Sequence, residues 1–386
     1  MSDGSNDKPT RSELERRLIA EATGEGMDWK TMVLVPVLAV FSALVIGAII
    51  IIASGETFAT AMAAFGALAK GSVGSISAVS ETLVAAAPLI LAGLAVAIGF
   101  RAGLFNIGGE GQILMGGMVA VAVGFSFEGL PWFIHLPLAL IGGIIGGGIW
   151  GLIPGVLKAR TGAHEVIVTI MMNFIALRLT DYLLKTPFYQ VEGRNDPVSK
   201  SVHESAQLPQ LLDWIDPQLR LHAGIIVAIG AAWFTHWLLF KSTWGFEFRA
   251  VGFNGDAAKY GGVNLMRALP FVMFIAGSMA GLAGANQTLG LLFRATPGFS
   301  ANIGFDAIGL ALLGRSHPWG VVAAGLLFGG LRAGGQQMQV DPGVGIDIVT
   351  VIQALIIVFI AAPALIRSIY RVKVDDTSSQ ITGGWG

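Results

Sequence analysis

The stretch RAGLFNIGGEGQ, residues 101–112, lies between two long apolar runs and decides how the rest of the chain is interpreted. It places amides, a carboxylate and several glycines where an apolar helix would otherwise continue. Asn106 and Glu110 are four residues apart, a spacing that puts two side chains on one helix face, while the glycines around them loosen the backbone. The pattern predicts either a broken or re-entrant segment that lines a cavity, or a Glu110 that only caps a helix N-terminus.

Composition predicts the setting of this stretch. The chain has 386 residues, of which 54% are hydrophobic and only 13% charged. Its apolar runs are continuous and separated by charge clusters, so they fit membrane-crossing helices of about 20 residues rather than the alternating strands of a membrane barrel. The sequence therefore predicts an all-α polytopic bundle of about ten spans, in a range of roughly eight to eleven, because the eighth run is short and residues 57–79 could hold a further helix. The runs lie near 32–53, 80–99, 104–125, 132–157, 164–184, 222–240, 268–290, 303–314, 318–335 and 347–366.

Lysine and arginine predict the orientation of these runs, because positive residues are enriched in short cytoplasmic loops. If the N-terminus lies inside and the ten runs alternate, most of the 24 basic residues fall on the cytoplasmic side. We therefore expect both termini in the cytoplasm, with polar tails over residues 1–31 and 371–386 and a membrane domain over 32–370. The same orientation makes 185–221 the largest extracytoplasmic loop, suited to docking an external protein, and 241–267 the largest cytoplasmic loop.

Several function classes are excluded by absent motifs. The sequence has no phosphate-binding G-x-x-x-x-G-K-[ST] loop, no H-E-x-x-H zinc pair and no G-x-S-x-G nucleophile elbow. It has no cysteine, so it can form neither a disulfide nor a zinc-thiolate site. We therefore expect no catalytic residue, no metal and no cofactor in this chain, and no nucleic-acid partner.

A glycine repeat predicts close helix packing in the fourth and seventh runs. The fourth run carries Gly143, Gly147, Gly151 and Gly155, one glycine every four residues, which leaves one helix face bare. The seventh run has the same pattern around Gly281. Small residues of this kind let two helix backbones approach each other in a membrane.

Polar residues inside the predicted spans are candidates for a translocation pathway, because burying them in hydrocarbon is unfavourable. In the fifth run Glu165, Thr169 and Asn173 form one stripe at i, i+4 and i+8. Interhelical hydrogen bonding is an equally open interpretation for each such residue. Amides and a few carboxylates, without a ladder of like charges, suit a neutral polar solute better than an ion. With two neighbouring aromatic residues, the candidates are Phe105, Asn106, Glu110, Gln112, Glu165, Thr169, Asn173, Phe174, Asn286 and Asp306.

The cytoplasmic loop 241–267 contains the signals of a short helix. Asn254 or Asp256 can cap its start, and Gly261 and Gly262 can end it. A short helix held beneath a membrane bundle could act as a lever for a partner protein, or it could rest on lipid headgroups.

Four segments together resemble permease subunits of ATP-binding cassette importers, in the branch that serves ribose-type sugars, branched-chain amino acids and nucleosides. They are residues 101–112, 165–173, 249–262 and 304–314, and the resemblance covers about residues 80–370. Within this branch, GLFNIGGEGQ and HEVIVTIMMNFIA are most similar to the larger permease of nucleoside importers that work with a basic-membrane-protein-type binding lipoprotein.

The resemblance implies a type II importer fold in the bacterial cytoplasmic membrane. It also implies a second permease subunit, identical or homologous, an extracytoplasmic solute-binding protein, and cytoplasmic ATPases that bind ATP and magnesium in place of this chain. The loop 241–267 then matches the coupling helix that enters a groove of the ATPase. The residues that carry this match are Arg249, Gly252, Asn254, Gly255, Asp256, Ala257, Ala258 and Tyr260.

The function implied is alternating access for a small neutral polar solute, with nucleosides as the first expectation. One alternative is a permease of a ribose-type sugar importer. The other is an ion-coupled secondary transporter, whose coupling site would need Glu110, Glu165 or Asp306.

Overall fold

The computed structural model describes residues 29–362 and 369–370, and α-helices make up most of this part of the chain. The expected tail over 371–386, and residues 1–28 of the expected N-terminal tail, lie outside the described residues. In chain order the helices are α1 Trp29–Ala53, α2 Phe58–Val73, α3 Ile76–Arg101, α4 Gly109–Ser126, α5 Trp132–Thr161, α6 Glu165–Leu183, α7 Gly224–Lys241, α8 Thr243–Phe253, α9 Gly255–Tyr260, α10 Leu265–Gln287, α11 Ile303–Leu313, α12 Pro318–Val340 and α13 Asp347–Ala361.

The all-α fold predicted from composition is confirmed. The described residues contain no named strand, only two isolated β-bridges in the loop between α6 and α7. Each of the ten apolar runs coincides with a helix, and α2 occupies the additional stretch 57–79. Among the described residues six helices are long and apolar enough to cross a membrane by length and composition, so the number of crossings and their orientation stay predictions. The six are Pro36–Ala53, Ile76–Arg101, Trp132–Thr161, Glu165–Leu183, Gly224–Lys241 and Leu265–Leu292.

Local signals set the ends of several helices. Ser75 has an extended backbone and its hydroxyl accepts a hydrogen bond from the amide of Ala78, which caps the start of α3. The long helix α5 ends at Gly162, whose left-handed backbone (φ 69°) is the conformation that glycine adopts without a steric penalty.

Two helices form the centre of the bundle. In α3 83% of the apolar window is buried inside the protein, and in the α10 segment 78% is buried, whereas only 28% is buried in α1 and in α6. The helix α3 is therefore central, and the polar segment that follows it lies within the bundle. The helix α6 lies at the edge of the bundle.

The glycine repeat packs α5 against α10, as its spacing predicts. A Cβ atom at Gly281 would lie 2.2 Å from the carbonyl oxygen of Gly143, and one at Gly277 would lie 2.3 Å from that of Gly147. The two backbones are thus in direct contact, and we call this contact the α5–α10 glycine seam.

Two helices begin inside the bundle, and their N-termini meet there. After α3 the chain is non-helical over residues 102–108 and α4 begins at Gly109, while α11 begins at Ile303 after an irregular segment over 293–302. A Cβ atom at Gly304 would lie 2.2 Å from the amide nitrogen of Glu110, so the two starts touch. The break predicted from residues 101–112 is confirmed, and a cavity lined by it stays a prediction.

One detail of that prediction is wrong. Asn106 and Glu110 do not share a helix face, because Asn106 precedes α4 and its side chain bonds the amide of Gly108 instead. Residues 102–108 are not helical, so no helical turn joins the two residues.

Candidate translocation pathway and coupling surface

Glu110 joins the two helix starts. Its side chain is 8% exposed. One carboxylate oxygen accepts a hydrogen bond from the hydroxyl of Ser300 at 2.5 Å, and the other accepts from the amide of Gly304 at 2.8 Å. The N-terminus of a helix favours a nearby negative charge, and Glu110 lies at the start of α4 and of α11 together. The carboxylate therefore holds both broken segments in one arrangement.

Asn106 and Gln112 close the break from the other side. Each is 1% exposed, and their amides form a reciprocal pair in which both nitrogens donate to the opposite oxygen at 3.0 Å. The oxygen of Asn106 also accepts from the amide of Gly108 at 3.1 Å. The pair fixes the non-helical turn that leads into α4.

The polar stripe on α6 faces protein. Asn173 accepts a hydrogen bond from the amide of Gly111 at 2.9 Å and donates to the carbonyl of Ile107 at 2.9 Å. Thr169 lies against Gly108, and Glu165 at the start of α6 pairs with Lys158 at 2.5 Å. The stripe docks α6 onto the break, and the opposite face of α6 is left exposed.

The structure brings five of the ten pathway candidates together around the start of α4, places Phe105 within the break itself, and leaves Phe174, Asn286 and Asp306 apart from it. Asn106, Glu110, Gln112, Thr169 and Asn173 surround the start of α4, and Glu165 lies lower on the same stripe. Glu110, Asn106 and Asn173 accept hydrogen bonds from the backbone amides of Gly304, Gly108 and Gly111, so these three side chains position the backbone.

The remaining candidates make contacts other than the hydrogen bonds around the start of α4. Phe105 packs edge-on against Phe100 with ring centroids 5.3 Å apart, and Phe174 is 61% exposed on the outer face of α6. Asn286 is 2% exposed, and neither amide atom meets a hydrogen-bond partner among the described residues.

Asp306 has a partner that sequence reasoning missed. It forms an ion pair with Arg332 of α12, and both side chains are roughly one quarter exposed (28% and 27%). Arg332 is a basic residue inside an apolar run, and such a residue needs a countercharge in a membrane. The position of Arg332 in an apolar run is therefore the sequence signal from which an ion pair could have been predicted. Ser300, the partner of Glu110, carried no comparable signal.

The loop 241–267 forms the two short helices α8 and α9. The oxygen of Asn254 accepts from the amide of Ala257 at 2.9 Å, which confirms Asn254 as the cap of α9, and α9 ends before Gly261. The surface of this elbow is aromatic and unusually open, with Tyr260 98% exposed and Phe253 78% exposed. Of the residues predicted for coupling, Ala258 alone is buried, against the elbow itself.

The elbow touches the break through backbone atoms. A Cβ atom at Gly252, near the end of α8, would lie 2.4 Å from the carbonyl oxygen of Arg101. Gly103 faces it with a left-handed backbone (φ 68°), which a larger residue adopts with strain. The end of α8 therefore lies directly against the turn that follows α3.

A cluster of cationic and aromatic side chains fixes the same end of the bundle. The guanidinium groups of Arg101 and Arg249 lie 5.5 and 5.3 Å from the ring centre of Phe240, and Arg101 donates to the carbonyl of Ser316 at 3.0 Å. His317 stacks beside Phe240 at 5.5 Å. Burial lowers the pKa of His317, and the neighbouring His236 and the positive charge of Arg101 lower it further.

At the opposite end, the loop between α6 and α7 covers the segment that leads into α11. The amide of Ser199 donates to the carbonyl of Ala295 at 3.0 Å, and the amide of Val202 donates to the carbonyl of Phe293 at 2.9 Å. The loop is also tied to the start of α3 by the ion pair between Arg220 and Glu81. Contact with this loop would thus reach the 293–302 segment, whose end binds Glu110.

Comparisons with known proteins agree with this architecture. The family model described as the permease component of branched-chain amino acid transport systems matches residues 78–361. The chain is 46% identical to the guanosine ABC transporter permease protein NupP of Bacillus subtilis, over 86% of this chain and 94% of that protein.

Two further relatives are nearly as complete. A glucose ABC transporter permease protein, TsgB13 of Haloferax volcanii, is 35% identical over 90% of this chain and 93% of its own length. The nucleoside ABC transporter permease protein NupB of Lactococcus lactis is 35% identical over 87% of this chain and 92% of its own length. No solved structure matches the chain.

The helical bundle with a short helical elbow at one end defines a polytopic membrane permease. The chain belongs to the branched-chain amino acid transport system permease family, and is thus a permease subunit of an ATP-binding cassette importer. It is a transport component without an ATPase site of its own, and it works with ATPase and solute-binding subunits. The resemblance drawn from four short segments is confirmed.

Proposed function

We propose that the chain imports nucleosides across the bacterial cytoplasmic membrane by alternating access. The observation that carries the proposal is the 46% identity to a guanosine permease along 86% of the chain. The distribution of charge supports it, because the buried carboxylate of Glu110 is bound by two helix starts and Asp306 is paired with Arg332. A pathway whose charges are compensated suits an uncharged solute.

A sugar is the second candidate solute. The 35% identity to a glucose permease, over 90% of this chain, favours it specifically. Nucleosides contain a sugar, so contacts that serve one class can serve part of the other.

A second permease subunit is proposed to lie against the outer face of α6, with the solute path between the two subunits. Arg178 on this face pairs with Asp181 at 3.7 Å but still has a side chain that is 83% exposed, although α6 is one of the helices long enough to cross the membrane. An exposed cation at that position requires water or protein rather than lipid. Phe174 lies on the same exposed face, while Asn106, Glu110, Gln112, Glu165, Thr169 and Asn173 hold the wall behind it. A guanosine permease NupQ from Bacillus subtilis is 28% identical over 65% of this chain, so two relatives from one organism, NupP and NupQ, fit a pair of unlike permeases.

The proposed transmission begins at the elbow of α8 and α9, which an ATPase would hold through Tyr260, Phe253 and the α9 start. ATP-driven movement of the ATPases would shift Gly252 against Arg101, and the shift would reach the break over 102–108. From there Glu110 connects α4 to the 293–302 segment and to the loop on which a binding protein would dock.

The proposal is tested with the complete transporter in proteoliposomes. Nucleosides, ribose and glucose are each supplied with the binding protein, and both ATP hydrolysis and uptake are measured. We expect nucleosides to stimulate both. Stimulation by glucose or ribose alone would assign the chain to sugar import, and uptake driven by an ion gradient without ATPase subunits would contradict both versions.

The elbow is tested separately. We expect Asp256→Arg to abolish solute-stimulated ATP hydrolysis while the complex still assembles, because the charge reversal lies on the exposed start of α9. Asp256→Ala is the matched control and retains most of the stimulation. Unchanged hydrolysis by the Asp256→Arg complex would place the ATPase contact elsewhere.

A further inference from the structure

An apolar groove runs along the side of the bundle, between α5, α7, α8 and α10. Its volume is about 570 Å³, and its walls are almost entirely aliphatic or aromatic. Phe234 and Trp244 are 38% and 45% exposed, so the groove opens on the surface of the bundle rather than inside it. An apolar groove of this kind offers water almost no hydrogen-bond partners.

The groove has the length of one leaflet. Along α10 it extends over the twelve residues from Phe271 to Leu282, whose Cα atoms span about 16 Å of helix. Half of the hydrocarbon core of a bilayer is about 15 Å thick. A single acyl chain of the cytoplasmic leaflet therefore spans the groove from end to end.

Two basic side chains lie at the cytoplasmic mouth of the groove. Lys241 ends α7 three residues after Leu238, and Arg267 precedes Phe271 by four residues on α10, so each shares the groove-facing side of its helix. Both residues are exposed, and neither forms an ion pair within the described part of the chain. Trp244 closes the mouth, with its ring 4.7 Å from that of Phe271, and tryptophan is enriched at the membrane interface.

We propose that this groove binds an anionic phospholipid of the cytoplasmic leaflet, with an acyl chain in the groove and the phosphate between Lys241 and Arg267. Two cations above an apolar slot match a negatively charged headgroup above a hydrocarbon chain. Trp244 belongs to α8, so the lipid contacts the helix that carries the elbow and stabilises one position of it. The inference rests on the proposed orientation of the elbow toward the cytoplasm, but not on which solute is imported.

The test uses bromine as a short-range quencher of tryptophan fluorescence. The complete transporter is reconstituted in phosphatidylcholine bilayers that contain either phosphatidylglycerol or additional phosphatidylcholine brominated along the acyl chain. The chain has nine tryptophans, so the contribution of Trp244 is the difference between the wild type and Trp244→Phe. We expect brominated phosphatidylglycerol to quench this contribution at a lower lipid fraction than brominated phosphatidylcholine does, by roughly fivefold for each basic residue near the headgroup.

Two variants separate the headgroup from the groove. Lys241→Gln combined with Arg267→Gln is expected to remove the preference for phosphatidylglycerol, whereas Lys185→Gln combined with Arg294→Gln, at the other end of the bundle, should leave it intact. Gly230→Leu is expected to reduce quenching by both lipids. A Cβ atom at Gly230 meets nothing within 4 Å, so the new side chain fills the groove without disturbing the fold.

Three results would overturn the proposal. Equal quenching by brominated phosphatidylglycerol and brominated phosphatidylcholine would show that the groove has no preference for an anionic headgroup. Quenching that Gly230→Leu does not change would show that the acyl chain lies outside the groove. Quenching of Trp244 in the isolated chain but not in the assembled transporter would show that a protein subunit, not a lipid, covers the groove.

Discussion

The α5–α10 glycine seam and the break over residues 102–108 differ in the kind of contact that joins their helices. Both join helices within an apolar bundle, where lipid competes with side chains for dispersion contacts and the hydrophobic effect gives little help. The seam uses no polar side chain: Gly147, Gly277 and Gly281 let two backbones touch. The break uses Asn106, Glu110 and Gln112, whose hydrogen bonds join backbone that is not helical.

The contrast indicates which part of the permease is fixed and which can move. Close backbone contact has no alternative arrangement, because any separation leaves a void along both helices. A set of hydrogen bonds can be exchanged for another set if the partners shift together. We therefore expect mutations at the seam to destabilise the fold and mutations at the break to act mainly on transport.

The largest effect is expected from Gly281→Ala. The added methyl group would lie 2.2 Å from the carbonyl oxygen of Gly143, a backbone atom that cannot rotate away. Forcing the helices apart should destabilise the protein by about 3 kcal/mol, measured as a loss of thermal stability in detergent. Gly66→Ala, where a Cβ atom meets nothing within 4 Å, is the control and should not lower stability. A Gly281→Ala protein as stable as the control would refute the seam.

Glu110→Leu comes next. It leaves the hydroxyl of Ser300 and the amide of Gly304 without their acceptor, at about 1–3 kcal/mol for each unpaired buried group. We expect transport to be lost even where purified protein is still folded, as judged by uptake in proteoliposomes set beside the yield of folded complex. Glu128→Leu, at an exposed position, should transport normally. Normal uptake by Glu110→Leu would mean that the contact between α4 and α11 is not needed.

A smaller effect is expected for the reciprocal amide pair of Asn106 and Gln112, and a double-mutant cycle can measure it directly. A double-mutant cycle with Asn106→Ala and Gln112→Ala should give a coupling free energy of about 1 kcal/mol, since each residue bonds the other. The same cycle with Asn106→Ala and Gln218→Ala, an exposed residue of the loop between α6 and α7, should be additive. Additivity in the first cycle would show that the pair does not hold the break.

The smallest effect is expected at the ion pair of Asp306 and Arg332. The side chain of asparagine keeps an oxygen that can accept a hydrogen bond from Arg332, so Asp306→Asn should change the unfolding free energy by no more than about 1 kcal/mol. Asp213→Asn, at an exposed position in the loop between α6 and α7, is the control for stability and uptake. If Asp306→Asn stops uptake at normal stability, the residue belongs to the path and not to the scaffold.

The sequence alone determined the class of the protein and the position of its irregularities. Long apolar runs predict helices because only a helix satisfies its own backbone hydrogen bonds in lipid, and the runs coincide with α1, α3–α7 and α10–α13. Glycine spacing of four predicted the seam, since a period near the helical turn bares one face. The glycines of 101–112 predicted a break, and Asn254 predicted the start of α9.

Only the tertiary structure decided what the polar residues touch. Glu110 meets Ser300 across 190 positions of sequence, and no periodic pattern encodes a contact between two helix starts. Asn106 does not share with Glu110 the helix face that its spacing suggested, because it precedes α4 and binds the amide of Gly108. The groove between α7 and α10 and the contact of Gly252 with Arg101 likewise exist only once distant segments have packed. Local spacing fixes which residues share a face, whereas packing fixes which faces meet.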